Sequence, residues 1–191
     1  SQVHAVFTIN PLLDGVTGVC RDGDGVLSVN RWLDKEVALD RFNLFQVTTS
    51  ISVFFRLRVI ERVGKFDETL GVGAETPWRS GEDADFMLRA LAAGFKVRFL
   101  PDLFVHHPSP VRSFSRAEIQ RGYEYGLAFG YLLGGYRYPF GFVAQTWIRA
   151  FGGMLLSMLR LRIGPGRFYF WSCCGRFLGW WQGRRKGSSS G

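Results

Sequence analysis

Charge is distributed unevenly along this sequence of 191 residues, and no carboxylate side chain follows Glu124. Residues 1–107 carry 12 basic and 14 acidic side chains, whereas residues 108–191 carry 12 basic and only two acidic ones, a net charge of +10. The second part cannot neutralise its cations internally, so we expect it to face an anionic surface or partner. The sequence therefore predicts a domain, a basic and aromatic helical region and a disordered tail, over residues 1–110, 111–183 and 184–191.

The composition is that of a folded protein in a reducing compartment. Hydrophobic residues make up 47% and charged residues 21%, which excludes a disordered chain. Cys20, Cys173 and Cys174 are too few, and wrongly spaced, for a disulfide framework or a cysteine-rich metal site. The chain begins with Ser1 rather than Met and shows no signal-peptide pattern at its start. We take this start to indicate a fragment or a trimmed product.

Strand and helix patterns alternate in the first part, which predicts an α/β fold. A turn-rich segment at residues 21–25 predicts a hairpin between the two strands that flank it. Acidic residues at the start of one segment and Gly94 at its end predict a helix. The predicted strands are Gly15–Cys20, Val26–Val29, Thr48–Phe55, Lys96–Leu100 (closed by Pro101) and Phe104–His107, and the predicted helices are Leu57–Val63 and Gly81–Ala93.

The pattern of the second part predicts amphipathic helices with one turn between them. Helices are predicted at Ala117–Leu133 and Gly141–Leu161, a turn at Gly164–Gly166, and an aromatic stretch at Arg167–Trp181. The charge-free runs on either side of Arg149 have 11 and 10 residues, too short for a membrane-spanning helix of about 20.

The helix at 141–161 is therefore expected to lie in a membrane interface. Arg149 and Arg160 would point to anionic headgroups, on a face shared with Gly153 and Ser157. The alternative is a helix that packs on the domain and carries a few surface arginines.

The residues that suggest chemistry lie between positions 54 and 107. Glu82, Asp83 and Asp85 open a predicted helix, next to a glycine-rich loop that contains Trp78. We expect this polar site to lie at the carboxyl end of a strand, where open α/β sheets bind ligands. An acid there could accept a proton from a hydroxyl group. A histidine about twenty residues further on, after the next strand, could ligate a divalent cation.

The order of motifs in this segment resembles the inverting family 2 glycosyltransferases of the GT-A fold. The motifs are F-F-R at Phe54–Arg56, V-G-K-F-D-E at Val63–Glu68, G-E-D-A-D-F-M-L-R at Gly81–Arg89, and Pro101 followed six residues later by His107. Each motif alone is weak, but their order is specific. The helical tail also resembles the membrane-proximal extension that many of these enzymes carry.

The resemblance implies roles for individual residues. Asp83 would be the general base that deprotonates the acceptor hydroxyl, and Glu82 would shape the pocket and orient that base. His107 would ligate Mn²⁺ or Mg²⁺, with His106 as the alternative ligand. The expected acceptor-binding residues are Trp78, Gly81, Asp85 and Arg89. The residues themselves leave alternatives open: an N-terminal helix charge for Asp85, an ion pair with it for Arg89, and a loop core for Trp78.

The sequence also departs from the family. The nucleotide-binding half, which ends in the family's D-x-D metal motif, is absent. Asp22-Gly23-Asp24 spells D-x-D but falls in the predicted hairpin turn, where Asp and Gly are common for backbone reasons. We therefore reject it as the metal site. The chain is expected to be the acceptor-side half of a GT-A sheet plus amphipathic helices, and to be inactive alone.

The expected activity is that of a hexosyltransferase-type enzyme in cell-envelope polysaccharide biosynthesis. It would move a sugar from a nucleotide-sugar donor to a lipid-linked or saccharide acceptor. The expected location is the cytoplasmic face of the cell membrane, with peripheral or monotopic attachment. The first alternative is a non-catalytic membrane-surface scaffold derived from such an enzyme. The least favoured is a basic nucleic-acid-binding module, and we expect no nucleic-acid partner because apolar faces accompany the arginines.

Overall fold

The computed structural model describes residues 2–29, 32–109 and 113–186. These residues form two compact units. One comprises residues 2–67 and 83–109, and the other comprises residues 68–82 and 113–186. The glycine-rich loop that precedes the predicted acidic helix thus groups with the helices rather than with the sheet. The sequence, which indicated a single boundary near residue 110, did not suggest this grouping.

The first unit is α/β and contains an open mixed sheet. Its two central strands, β1 (Gly15–Arg21) and β5 (Val97–His106), are parallel to each other. β3 (Val37–Ala38) pairs antiparallel with the free edge of β5. On the other edge of β1, β4 (Val53–Phe55) pairs at its beginning and β2 (Leu27–Ser28) at its end, both antiparallel. The predicted hairpin is therefore confirmed.

Pro101 does not close the strand that precedes it, contrary to the prediction. β5 continues through Pro101 and includes most of the segment predicted as a separate piece. The ladder is interrupted there, because Thr17 pairs with Phe99 whereas Val19 pairs with Phe104. In this bulge the N–H that proline lacks is not needed. Gly18 lies opposite, where a Cβ would come within 2.1 Å of the Leu103 carbonyl oxygen.

The strand predicted at Thr48–Phe55 is wrong in its first half. A short 3-10 helix occupies Ser50–Ser52, and only the last three residues form β4. The hydroxyl of Thr48 donates to the carbonyl oxygen of Leu44 at 2.7 Å, and that of Ser52 contacts the buried Thr17 hydroxyl at 3.3 Å. Hydroxyl groups that bond locally to the backbone compete with strand pairing, which explains the turn.

The two helices predicted for the first unit, at residues 57–63 and 81–93, are confirmed. α3 (Leu57–Val63) follows β4 and ends at Gly64. α1 (Gln2–Ile9) and α2 (Leu44–Val47), which were not predicted, precede β4. α4 (Glu82–Ala92) ends before Gly94, which has a positive φ of 86°. α3 and α4 are joined by a small core formed by Val59, Phe86 and Ala90.

The second unit contains three long helices. They are α5 (Arg116–Gly135), α6 (Phe140–Leu159) and α7 (Ile163–Lys186). The predicted turn at 164–166 is wrong, because these residues form the first turn of α7. Proline is tolerated there, since its missing N–H would have no acceptor within the helix. Residues 184–186, predicted as disordered, continue α7, and the rest of that predicted tail lies outside the described residues.

The start of α5 shows a complete capping box. The Ser115 hydroxyl accepts from the N–H of Glu118, and the Glu118 carboxylate accepts from the N–H of Ser115. The hydroxyl of Ser113 also donates to this carboxylate at 2.6 Å and lowers the pKa of Glu118. The box defines where α5 begins, one residue before the predicted start.

Glycines line the contact between α5 and α7, which run parallel. A Cβ on Gly130 would lie 2.1 Å from the carbonyl oxygen of Arg176, and one on Gly179 would lie 1.9 Å from that of Leu127. The two backbones therefore touch, as in helix pairs with small residues at every fourth position. This spacing was not used to predict the helix contact, although it is visible in the sequence at Gly122, Gly126, Gly130 and Gly134 and at Gly175, Gly179 and Gly183.

The two faces of α6 differ from the predicted arrangement. Gly153 and Ser157, expected beside the exposed arginines, pack against α7, where a Cβ on Gly153 would lie 3.0 Å from the Tyr169 ring. The prediction failed because small residues allow close helix packing. The opposite face is apolar and exposed, with a stripe formed by Ile148, Phe151, Leu155 and Leu159.

α6 is longer than either of the charge-free runs from which a membrane-spanning helix was judged impossible. The structure joins the two charge-free runs into one helix of 20 residues, in which an 18-residue window has a mean hydropathy of 1.2 and is 22% buried. By length and composition alone, α6 could cross a membrane. Only one charged residue, Arg149, lies inside it, which is why the two runs considered separately looked too short.

Candidate functional site

Asp83, the predicted base, lies in the first turn of α4 and is partly exposed. Its Oδ2 accepts a hydrogen bond of 3.0 Å from the backbone N–H of Ser50, in the short 3-10 helix. Its Oδ1 accepts from the N–H of Ala84 at 2.7 Å. Asp83 forms no salt bridge with any other described residue. Two N–H groups therefore orient the carboxylate and leave lone pairs that can accept a proton.

Ser50 is a site residue that the sequence analysis missed. It was assigned to a strand, where its N–H would pair with a neighbouring strand. The 3-10 helix directs this N–H to Asp83, 33 positions further along the chain. The cluster of hydroxyl residues at positions 48–52 was the signal that could have suggested a turn.

Asp85 and Arg89 form an ion pair inside the first unit. The Nε of Arg89 donates to Oδ2 of Asp85 at 2.8 Å, and Asp85 is buried. The remaining nitrogens of Arg89 donate to the carbonyl oxygens of Val63 at 2.8 Å and Lys65 at 2.9 Å. These bonds tie α4 to the end of α3. They favour the structural alternative for both residues over acceptor binding.

Replacing Arg89 with methionine is therefore expected to lower the free energy of unfolding by about 2–3 kcal/mol, because it leaves the Asp85 carboxylate buried without its cation. Denaturant unfolding followed by circular dichroism measures this loss. Arg62→Met, an exposed change in α3, should stay within about 0.5 kcal/mol of the parent. Unchanged stability together with weaker acceptor binding would instead assign Arg89 to the acceptor site.

The other predicted acceptor-side residues belong to the second unit. The carboxylate of Glu82 lies against Gly71, where a Cβ would come within 2.9 Å of it. Gly81 has a φ of 95°, and a Cβ there would meet the Leu132 side chain at 2.9 Å. Trp78 stacks on Tyr131 with 3.9 Å between ring centroids. These contacts favour a packing role for Trp78 and Gly81.

His107 follows β5 at the carboxyl end of the two parallel strands. Its N–H donates to the carbonyl oxygen of Arg21 at 2.8 Å, and its Nδ1 lies 2.9 Å from the carbonyl oxygen of Pro108. A carbonyl can only accept, so Nδ1 carries a proton, and in the neutral form of the ring the lone pair lies on Nε2. This tautomer suits a metal ligand. His106, the alternative ligand, packs edge-on against Phe104.

Asp22 behaves as a turn residue, in agreement with its rejection as a metal ligand. Its Oδ1 accepts from the N–H groups of Asp24 at 3.2 Å and Val26 at 2.9 Å. The hydroxyl of Ser109 donates to Oδ2 at 2.7 Å and lowers the pKa of Asp22. Both carboxylate oxygens are thus used within the hairpin and its neighbouring segment.

Comparisons of the chain with protein-family models, with curated proteins and with solved structures find no match. Within residues 2–29, 32–109 and 113–186, no group of three or more His, Cys, Asp or Glu side chains is placed to hold a metal ion. The carboxylate of Asp83 and the imidazole of His107 are each held in a defined orientation within the first unit.

Proposed function

We propose that the chain is the acceptor-side half of an inverting family 2 glycosyltransferase, with Asp83 as its general base. The observation that carries the proposal is the setting of Asp83. It is partly exposed, it is oriented by backbone N–H groups, and it has no cationic partner among the described residues. A carboxylate held in this way is fixed in position yet remains able to accept a proton. Asp85, two positions on, is neutralised by Arg89 and cannot serve the same purpose.

In the proposed reaction, the acceptor hydroxyl oxygen attacks the anomeric carbon of a nucleotide sugar. The bond to the nucleoside diphosphate breaks and its electron pair leaves with the diphosphate. The hydroxyl proton passes to Asp83 as the new glycosidic bond forms. Attack from the side opposite the leaving group inverts the configuration. Glu82, the residue before Asp83 on α4, would orient the base.

The proposed divalent cation, Mn²⁺ or Mg²⁺, fits His107 as one ligand of a larger set. The Nε2 lone pair of His107 is available, but the described residues supply no further cluster of ligands. The diphosphate oxygens and a donor-binding part of the enzyme would complete the coordination. When bound, the cation would neutralise negative charge on the leaving diphosphate.

The second unit supports a location at the cytoplasmic face of a membrane, peripheral or monotopic. Exposed apolar side chains cover the outer faces of α6 and α7, among them Ile148 and Leu159 on α6 and Phe177 on α7. Apolar surface of this extent on a basic unit is typical of contact with anionic lipid. A lipid-linked sugar or a growing polysaccharide is therefore the acceptor that we propose.

Release of nucleoside diphosphate tests the proposed reaction. Membranes that carry the complete natural protein containing this chain would be supplied with a panel of nucleotide sugars and with Mn²⁺ or Mg²⁺. Donor-dependent release, with transfer of label to a membrane or polysaccharide product, is the expected result. Absence of release across the panel from protein that is still folded and membrane-bound would overturn the proposal and favour a scaffold.

Replacing His107 with alanine is expected to lower the rate at limiting metal by at least about tenfold, because the Nε2 lone pair is lost. Added metal should recover part of the rate. His106→Ala removes the neighbouring imidazole and is expected to leave the metal dependence unchanged. Equal metal dependence in the parent and in His107→Ala would exclude His107 as a ligand.

A further inference from the structure

A cavity of about 450 Å³, open to solvent on one side, lies between the end of α6 and the first turns of α7. We call residues 156–170, which surround it, the α6–α7 corner. Its lining is almost entirely apolar apart from two arginine side chains, and consists mainly of Met158, Leu161, Arg162, Ile163, Arg167 and Phe170. The volume is in the range of pockets that bind small molecules.

Leu161 occupies an unfavourable position at this corner. Its φ is 53°, in the left-handed region that leucine rarely adopts, and its side chain is 89% exposed. Ile163, two residues on, is 76% exposed. Both side chains therefore gain little burial when the chain folds. Exposed apolar groups at a constrained turn are typical of a binding surface rather than of a folding core.

Three arginines surround the same corner without anionic partners. Arg160, Arg162 and Arg167 are exposed, and none forms a salt bridge or a side-chain hydrogen bond with another described residue. The sequence offers no carboxylate side chain after Glu124. Their charges are therefore available to an external anion.

We propose that the α6–α7 corner binds an anionic phospholipid of the bilayer leaflet, with an acyl chain in the cavity and the phosphate among the three arginines. The inference rests on the membrane association proposed above, though not on the transferase chemistry. A single amphiphile satisfies both features of the corner. A neutral lipid would leave the arginines unpaired, and a nucleic acid would leave the apolar cavity and Leu161 in water.

Vesicle flotation with the full chain tests the charged part of the proposal. The vesicles contain either phosphatidylcholine alone or phosphatidylcholine mixed with phosphatidylglycerol. Changing Arg160, Arg162 and Arg167 together to glutamine is expected to weaken partitioning into the anionic vesicles on the order of 100-fold. The matched control changes three other exposed arginines of the second unit to glutamine, Arg116, Arg121 and Arg184, and should weaken it far less. Equal losses in the two triple variants would overturn a localised site.

Leu161→Asn tests the apolar part without harming the fold. Asparagine adopts a positive φ more readily than leucine, so the variant should unfold at the same temperature as the parent or higher. Its partitioning into anionic vesicles should nevertheless fall by about tenfold, because the acyl chain loses an apolar side chain that lines its cavity. Unchanged partitioning of a stably folded Leu161→Asn would overturn the proposed acyl-chain site.

Two further binding experiments identify the source of the phosphate and distinguish this proposal from the enzymatic one. Soluble glycerol phosphate should not displace the protein from vesicles, and displacement at low concentration would show a free-phosphate site instead. Asp83→Asn should bind vesicles like the parent, since Asp83 lies in the other unit. If the parent protein bound vesicles but had no transferase activity, that result would contradict only the enzymatic proposal.

Discussion

Asp83→Asn is expected to lower the rate of sugar transfer by about 10²–10⁴-fold, the usual contribution of a general base. Asparagine keeps the shape of the side chain and one oxygen that can accept from a backbone N–H. It cannot take a proton from the acceptor hydroxyl. The initial rate of nucleoside diphosphate release at saturating donor, measured on membranes with equal amounts of protein, shows the effect.

A matched control separates this loss from a general effect of charge. Asp102 is exposed on β5 in the same unit and forms no hydrogen bond with Asp83, and Asp102→Asn removes an equal charge. It should retain the parental rate. Full activity in Asp83→Asn would exclude Asp83 as the base and with it the proposed mechanism.

The hydrogen bond from Ser50 allows a second test of the same site. Thr49 is extended, with φ −143° and ψ 150°, which suits a residue before proline, and Ser50 opens a 3-10 helix, whose φ proline can adopt. Ser50→Pro therefore removes the N–H that orients Asp83, and its ring Cδ takes the place of the amide hydrogen, so the carboxylate has to turn away. Turnover should fall by about tenfold at an unchanged melting temperature. Ser50→Ala keeps the N–H and should behave like the parent.

Gly179→Ala is expected to destabilise the second unit by more than about 3 kcal/mol, enough to abolish its cooperative unfolding transition. Helix propensity alone predicts the opposite sign, since alanine stabilises a helix interior by about 0.5–1 kcal/mol relative to glycine. The added methyl group would lie 1.9 Å from the carbonyl oxygen of Leu127 and 2.8 Å from the amide nitrogen of Tyr131. The helices α5 and α7 would have to separate. Thermal unfolding followed by circular dichroism and limited proteolysis both report this.

Gly152→Ala provides the matched control for the glycine contact. Gly152 lies inside α6, is exposed, and has no atom within 4 Å of the position that a Cβ would occupy. This variant should be as stable as the parent or slightly more stable. If Gly179→Ala were as stable as Gly152→Ala, the backbone contact between α5 and α7 would not exist in solution.

Much of the candidate site could be anticipated, because its residues lie close together in sequence. The acidic residues at the start of α4 and Gly94 after its end are local signals, and they indicated the helix correctly. The partner of Asp83 could not be anticipated. Ser50 is distant in sequence, and its N–H reaches Asp83 only because hydroxyl groups convert a predicted strand into a 3-10 helix.

Three residues predicted to bind the acceptor make packing contacts that could be foreseen only in part from the sequence. Asp85 and Arg89 are four residues apart on one helix, so an ion pair was possible from sequence alone. Its burial and the two bonds from Arg89 to carbonyl oxygens near α3 depend on how the two helices pack. Trp78 likewise meets Tyr131 through packing that is non-local in sequence.

By itself, the sequence determined the α/β character of the first unit, the helical character of the second, the hairpin at residues 15–28 and the uncompensated positive charge after Glu124. These features depend on the spacing of residues, on turn residues and on composition. Each of them is either a property of a short segment or a total over many residues, such as net charge. Only the tertiary structure decided which faces are buried. It turned Gly153 and Ser157 of α6 towards α7, brought the glycines of α5 and α7 into backbone contact, and carried β5 through Pro101 at a bulge. Each of these outcomes depends on a second segment that packs against the first, and no local pattern contains that information.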